Sequence, residues 1–333
     1  MMEVYQLLKI VNRIRSSRLK MLGLWGAHVL GKRYYGVFFD PIFGCNYRCQ
    51  MCYFSDPEIR RTKRGRMSEA EIEEAAENLF GQALKLQIGC GAEPMLDYPA
   101  VLKLVELGKK YRVPHISLTT NGALITKENL SQMAEAGLDE LTISLHGITR
   151  ATYERLMGKT AKFDTFLELL ETIRTVKKSH PSLKVRVNYT MNTDNVDELA
   201  EFDTLFANVP IDYLQLRPIR RMGETEYNNF DLTHVAECLE TIVRPLADRC
   251  HQRGITVLFP EQIHIERFEH KQTIDARNRL VASWAYQSVN PENNSLTRPA
   301  HLGRMMWQAI WRSEKWCETI DSELNTALNY DIR

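Results

Sequence analysis

The stretch YGVFFDPIFGCNYRCQMCYF, residues 35–54, joins an apolar strand-like run to a C-x3-C-x2-C triplet, Cys45, Cys49 and Cys52. Three thiolates this close in sequence repel one another unless a metal neutralises them. Structural zinc takes four protein ligands, and the next cysteine, Cys90, lies 38 positions beyond Cys52. An iron–sulfur cube held by three cysteines instead leaves one iron open to a small molecule. The triplet therefore reads as a reactive cluster rather than a structural one.

Working outward, the chain of 333 residues is long enough for one large α/β domain with additions. Its 44% apolar and 26% charged residues suit a globular protein with a real core, and a net charge of +1 names no partner. Seven cysteines, an odd number with three clustered, fit a reducing compartment and metal ligation better than disulfides. Lys9, Arg13, Arg15, Arg18 and Lys20 interrupt the apolar N-terminus, so neither a transmembrane span nor a signal peptide is expected, and a cytoplasmic location is.

From Tyr35 onward β-rich runs alternate with helical patterns. The predicted strands are Tyr35–Asp40, Leu84–Ile88, His115–Thr119, Glu140–Leu145, Lys184–Thr190 and Asp212–Leu216. Ser68 and Glu71 make a capping box before a helix running towards Phe80, Asp97 with Pro99 opens the next, and Thr126 caps one that stops near Gly137. Two more helices are predicted over 164–178 and 195–208. Six strand–helix units predict a parallel sheet with right-handed crossovers. Runs such as YGVFF and LTISL are nearly all apolar, as when both faces are covered. The expected class is α/β, a partial (β/α)6 TIM-type barrel with an N-terminal helix and a mainly helical C-terminal extension. Chemistry gathers at the C-terminal strand ends of a barrel, where the cysteine triplet, Gly89–Pro94, Thr120–Gly122, His146–Gly147, Asn192 and Arg217–Arg221 all fall.

The pattern divides the chain into 1–34, a basic amphipathic helix; 35–225, the barrel; and 226–333, the extension. In the last, 231–253 reads as a helix kinked by Pro245 and ended by Gly254. Ile255–Phe259 reads as a strand, and the tryptophan-bearing remainder as helical. Leu7, Leu8, Ile10, Val11, Ile14 and Leu22 form the apolar face of the first helix, which is expected to dock on the protein's own barrel, with peripheral membrane contact as the alternative.

The chain resembles the radical S-adenosylmethionine (SAM) enzymes over roughly residues 36–221. CNYRCQMC fits their cysteine loop, GAEP at 91–94 their GGEP element, and LTTNG at 118–122 and ISLHG at 143–147 follow in order. TYERLMG at 152–158 and LQLRPIR at 214–220 resemble the peptide-modifying and molybdopterin-type branches. The resemblance implies that Cys45, Cys49 and Cys52 hold three irons of a 4Fe–4S cluster, whose fourth iron chelates SAM. Reduction then cleaves the S–C5′ bond, giving methionine and a 5′-deoxyadenosyl radical that abstracts hydrogen from a substrate, with electrons from a donor such as flavodoxin or ferredoxin.

The resemblance also carries site roles. Gly91 and Glu93 face the SAM amino group, Thr120 and Ser144 its carboxylate, Asn188 or Asn192 the ribose, and Arg217 the cofactor from strand six. Arg155 is a further carboxylate partner. Met51 and Tyr53 flank the third cysteine; Met51 stands where the family commonly has an aromatic residue, and a thioether can pack on adenine. Ala92 replaces the second glycine of GGEP.

Plainer readings stand beside these. The triplet alone also suits zinc, Glu93 a solvated loop carboxylate, Thr120 and Ser144 simple strand-end polar groups, and His146 structural hydrogen bonding. Cys90, Cys238, Cys250 and Cys317 lack any C-x2-C pair, so buried free cysteines are expected rather than a second cluster. Arg60, Arg61, Lys63, Arg64 and Arg66, with Arg217, Arg220 and Arg221, suit an anionic substrate if they share the barrel mouth, or a solvated face if they do not. Nothing supports nucleic-acid binding beyond these charges. With 34 residues before the first strand, no cobalamin domain is expected. The expectation is thus a radical SAM enzyme acting on a peptide or an anionic small molecule. The alternatives are a zinc-stabilised, non-catalytic binding protein on the same scaffold, or a two-cluster peptide maturase.

Overall fold

The computed structural model describes residues 14–220, 225–263, 275–293 and 301–324. Eight parallel strands form one sheet: β1 (Tyr35–Phe39), β2 (Ala83–Ile88), β3 (Ile116–Thr120), β4 (Glu140–Leu145), β5 (Lys184–Met191), β6 (Tyr213–Pro218), β7 (Thr256–Leu258) and β8 (Tyr286–Val289). Their spatial order is β8-β1-β2-β3-β4-β5-β6-β7. Each step from β1 to β7 joins chain neighbours, as repeated right-handed βα units require. Among the described residues no ladder joins β7 to β8, so the barrel stays open.

Six of the strands lie within a residue or two of the predicted runs, and β7 falls inside the seventh. The eighth, β8, was not legible. Helix Ala276–Ala285 runs directly into it, with Tyr286 serving as both helix cap and first strand residue, so no glycine or proline marks the change.

The helices begin and end where local chemistry says they should. Ser68 and Glu71 close both halves of a capping box on α1 (Glu69–Leu79). Asp97 caps α2 (Tyr98–Lys110). Thr126 and Asn129 form a second box on α3 (Lys127–Ala136), and Gly137 ends that helix at φ 106°. Two helices, α4 (Arg150–Met157) and α5 (Phe163–Ser179), connect β4 to β5. The 195–208 segment is a short 3-10 turn, Asp197–Glu201, followed by Phe202–Phe206. The kink expected at Pro245 is a π-helical turn, Leu239–Val243, immediately before the proline's segment. A proline supplies no N–H to the turn behind it, and a π turn absorbs the mismatch without breaking the rod.

The strand Glu140–Leu145 is largely buried on both faces, as the LTISL run implies, but the two faces differ in chemistry. Leu86, Ile88, Leu118, Leu141, Ile143, Val185, Val187, Leu214 and their neighbours are buried under the helices. Ile116 and Leu86 press so closely on Gly108 of α2 that a Cβ there would meet Ile116 Cδ1 at 2.6 Å. On β4, β5 and β6 the alternate residues are polar, while β1 places Gly36 and Phe38 there. Thr142, Arg186 and Tyr213 share one tier; Ser144, Asn188 and Gln215 the next; Thr190 and Arg217 the last. This concave face is polar, with Thr142 and Arg186 themselves buried in it. On it Arg186 makes a two-point ion pair with Glu140, at 2.8 and 3.1 Å, both side chains almost wholly buried.

The N-terminal helix Ser17–Val29 docks on two helices, Leu302–Trp311 and Ala276–Ala285, the second of which packs on β1 and β8. Met21 is fully buried, and Trp25 meets Trp307 with ring centroids 4.6 Å apart. Leu22, expected on the docked face, is 40% exposed; Leu7, Leu8, Ile10 and Val11 lie outside the described residues. No described helix is long and apolar enough to cross a membrane.

Candidate functional site

β1 delivers the chain into the cysteine loop, and the end of α4 holds that loop in place. Arg48 N–H donates to the Met157 carbonyl at 3.2 Å and Gln50 N–H to that of Leu156 at 3.0 Å. Thr160 Oγ1 donates to the Asn46 carbonyl at 2.8 Å, and Cys49 Sγ lies 3.9 Å from Met157 Sδ. The last carbonyls of a helix have no partner within it, and here the cysteine loop supplies the donors. Gly158 makes the close approach: its φ is 93°, and a Cβ would lie 2.4 Å from the Arg48 carbonyl oxygen. The TYERLMG run thus has a structural task.

The loops after β2 and β3 are tied to the same place. Asp40, at the end of β1, accepts from the N–H groups of Cys90 at 2.8 Å and Gly91 at 3.1 Å. Tyr53 Oη–H donates to the Gly91 carbonyl. Glu93 is buried and accepts from Thr120 Oγ1 at 2.6 Å, Asn121 N–H at 2.8 Å and Met95 N–H at 3.1 Å. Asn121 then reaches the cysteine loop, donating to Asn46 Oδ1 at 2.8 Å with Cys45 Sγ at 3.9 Å. Glu93 is therefore no solvated loop carboxylate; it joins loops two and three. Burial raises its pKa to about 7 against the pull of its three donors, and burial raises that of Asp40 to about 6.

Of the remaining residues singled out from sequence, Ser144 and Asn188 sit side by side on the concave face, and Arg217 stands at the open end beside Thr190. Asn192 is fully buried just past β5. Met51 is packed into the core. Arg155 pairs with Asp194 at 3.3 Å, both half-exposed. Three polar atoms near the ends of β4 and β5 are buried with no hydrogen-bond partner: Asn188 Oδ1, Asn192 Nδ2 and His146 Nδ1. Burial, then the nearby Arg217 cation, lowers the His146 pKa to about 4, so its ring is neutral near pH 7. A groove of about 790 Å³ runs from Gly44 and Cys45 past Arg48 to Arg60, Lys63 and Arg64. Arg66 pairs with Asp97 at 3.0 Å, and Arg221 lies outside the described residues.

The three thiols themselves resist ionisation. Burial pushes the Cys45 pKa up to about 12 and raises those of Cys49 and Cys52. A metal centre is what turns such buried thiols into thiolates. Thiolates on one zinc lie about 3.8 Å apart, from a Zn–S length of about 2.3 Å. Among the described residues, however, the one trio of ligand atoms drawn within 4.8 Å of one another is Asp197, His234 and Cys238.

An open parallel barrel whose first strand feeds a three-cysteine loop, with a polar mouth beside it, defines a class of cluster-bearing barrel. The profile of the Radical SAM superfamily matches residues 40–221, over half of the chain, and the chain belongs to that superfamily. A probable GTP 3',8-cyclase of Saccharolobus islandicus is 27% identical over 202 residues, covering 60% of this chain and 62% of the relative. The GTP 3',8-cyclase of Aquifex aeolicus is 27% identical over 203 residues, covering 60% of each. The chain thus spans about three fifths of the curated relatives it matches. Among solved structures, SuiB of Streptococcus suis bound to S-adenosylmethionine superposes over 92% of this chain and 71% of its own, with TM-score 0.61 and 17% identity. The enzyme anSMEcpe with bound AdoMet covers 67% and 63%, with TM-score 0.52 and 17% identity. At that identity the likeness is one of fold.

A 4Fe–4S cluster and SAM are the cofactors of this superfamily and of this chain. The residues present fit them: three partly buried thiols on one loop, and buried polar atoms of Asn188, Asn192 and His146 left without a partner near the strand ends. Sequence reasoning gave no role to Asp40, Asn46 or Asn121. Asp40 could have been found as the carboxylate closing an apolar strand, and Asn121 lies inside the LTTNG run.

Proposed function

We propose that the chain is a radical SAM enzyme acting on an anionic small molecule. Cys45, Cys49 and Cys52 hold three irons of the cluster. When bound, cluster and SAM supply, on one-electron reduction, a 5′-deoxyadenosyl radical able to take hydrogen from an unactivated carbon. The chain's own residues bind and orient. Gly91 and Glu93 mark the amino-group side of SAM, with Tyr53 fixing the Gly91 carbonyl. Ser144 and Arg217 address the carboxylate. Asn188 and Asn192, with unpartnered amide atoms, address the ribose. Arg155, held by Asp194, borders the same mouth. A small redox protein of the flavodoxin or ferredoxin kind delivers the electrons.

The observation that carries this reading is the junction of Asn121 with Asn46 and Cys45, which sets the cysteine loop over the polar strand ends. The anionic substrate is supported by Arg48, Arg60, Lys63 and Arg64 in the groove beside Cys45, and by relatives whose name specifies a nucleoside triphosphate. Anaerobic reconstitution tests it. About four irons per chain, and 5′-deoxyadenosine released from SAM under a chemical reductant, are expected, with both lost in Cys45→Ala. Zinc retention without 5′-deoxyadenosine would favour the non-catalytic alternative and sink the proposal.

A further inference from the structure

We propose that Asp197, His234 and Cys238 form a second metal site, for one zinc-class divalent ion. His234 and Cys238 lie one turn apart on the helix Thr233–Cys238, and Asp197 opens the 3-10 turn after β5. Cys238 Sγ is 3.6 Å from His234 Nε2, 4.0 Å from its Nδ1 and 3.6 Å from Asp197 Oδ1, so the imidazole has to rotate to aim Nε2 at an ion shared with the sulfur. Tetrahedral zinc, with bonds of about 2.3 Å to sulfur and about 2.1 Å to nitrogen or oxygen, imposes about 3.6 Å on both pairs. The third pair, His234 Nε2 to Asp197 Oδ2, is a 2.8 Å hydrogen bond and needs to open by about 0.6 Å to admit the ion.

Two further features belong to a ligand set. Cys238 is 4% exposed, yet its sulfur faces the histidine and the carboxylate. Glu237 Oε2 faces the other ring nitrogen, His234 Nδ1, at 3.7 Å. At that distance it makes no hydrogen bond; closing to about 3 Å around a bound ion, it would set the imidazole's tautomer. One sulfur, one nitrogen and one oxygen select a borderline-soft ion over magnesium or calcium. Asp197 and His234 are open to solvent, which leaves the fourth position to water.

The ion would staple the segment after β5 to the helix after β6. Other contacts already tie these two segments: Thr193 Oγ1 donates to the Asp231 carbonyl at 2.6 Å, and Tyr227 Oη–H to Asp194 Oδ2 at 2.5 Å. Asn192 and Asp194 lie in the same stretch, so the staple would stiffen one wall of the mouth.

The test is metal analysis of the full chain purified from zinc-supplemented medium, with cobalt substitution as the spectroscopic readout. About one zinc per chain is expected, falling below about one fifth of that in Cys238→Ser and His234→Gln while iron is unchanged. Cobalt should give a thiolate charge-transfer band that Cys238→Ser removes. Replacing all three of Cys45, Cys49 and Cys52 by alanine should remove iron and leave this ion in place. Zinc unaltered by Cys238→Ser and His234→Gln, zinc lost with the triplet, or no thiolate–cobalt band overturns the site. Because His234 and Asp197 are solvent-exposed, His234→Gln and Asp197→Asn keep the test decisive should Cys238→Ser fold poorly.

Discussion

Glu93 and Thr120 meet at 2.6 Å, hydroxyl to carboxylate, in a place where both are almost wholly buried. With the amides of Asn121 and Met95 on the same carboxylate, this contact is the joint between the loops after β2 and β3. Glu93→Ala leaves three buried donors without an acceptor. At about 1–3 kcal/mol for each unsatisfied group, a loss of at least 3 kcal/mol is expected. Glu93→Gln keeps an acceptor for part of the set and should cost about 1 kcal/mol. Urea unfolding of both variants checks this, and equal midpoints for Glu93→Ala and the wild type would remove the joint from the account.

The hold of α4 on the cysteine loop makes Gly158 a test of cluster assembly. Gly158→Ala forces a methyl against the Arg48 carbonyl and a residue with a Cβ into φ 93°. The loop must shift, so iron per chain should fall by more than about half while far-ultraviolet circular dichroism is kept. Gly254→Ala is the control: φ is 77° there, but its Cβ would meet nothing within 4 Å. It should cost about 1 kcal/mol of strain and leave iron untouched. Equal iron in Gly158→Ala and wild type would mean that the loop does not depend on this approach.

The strands and helix ends were legible because they obey local rules: Ser68 with Glu71, Thr126 before its helix, and Gly137 after it act within one turn of chain. The cysteine spacing was legible for the same reason. What escaped depends on contacts far apart in sequence. Asp40 serves amides 50 residues away, and Asn121 serves a loop 75 residues before it. LTISL looks uniformly apolar, although Thr142 and Ser144 lie on the polar face of the sheet and their neighbours on the other, because threonine and serine scarcely interrupt a hydrophobic run. The docking of the first helix through Trp25 was hidden because its partner, Trp307, is 282 positions later.

The buried pair on the concave face of the sheet should behave as a unit. Arg186 has its carboxylate partner Glu140 at two points and stacks over Tyr213 at 4.7 Å. Glu140→Ala strands the guanidinium, and Arg186→Ala the carboxylate, each at about 3–5 kcal/mol. Replacing both at once by Leu and Met should cost less than either single change, because no buried charge is left alone. Denaturant unfolding of the cycle measures the coupling, and purely additive costs would show that the two charges are solvated independently.

Asp40 should impose a pH dependence of known sign. Its pKa is 3.8 when unfolded and about 6 in the fold, raised by burial against the pull of the Cys90, Gly91 and Ala92 amides. Between these values the folded chain holds a proton that the unfolded chain has released. The contribution of Asp40 is therefore fully present below about pH 4 and is lost as the pH rises through about 6, by up to about 3 kcal/mol. Asp40→Asn keeps an acceptor for the amides and cannot ionise. Stability measured from pH 4 to 8 should fall in the wild type relative to this variant across that window, and the difference should be level above pH 7. A difference that grows with rising pH in the opposite sense would mean that the amides hold Asp40 ionised, with its pKa below 3.8 and not above it.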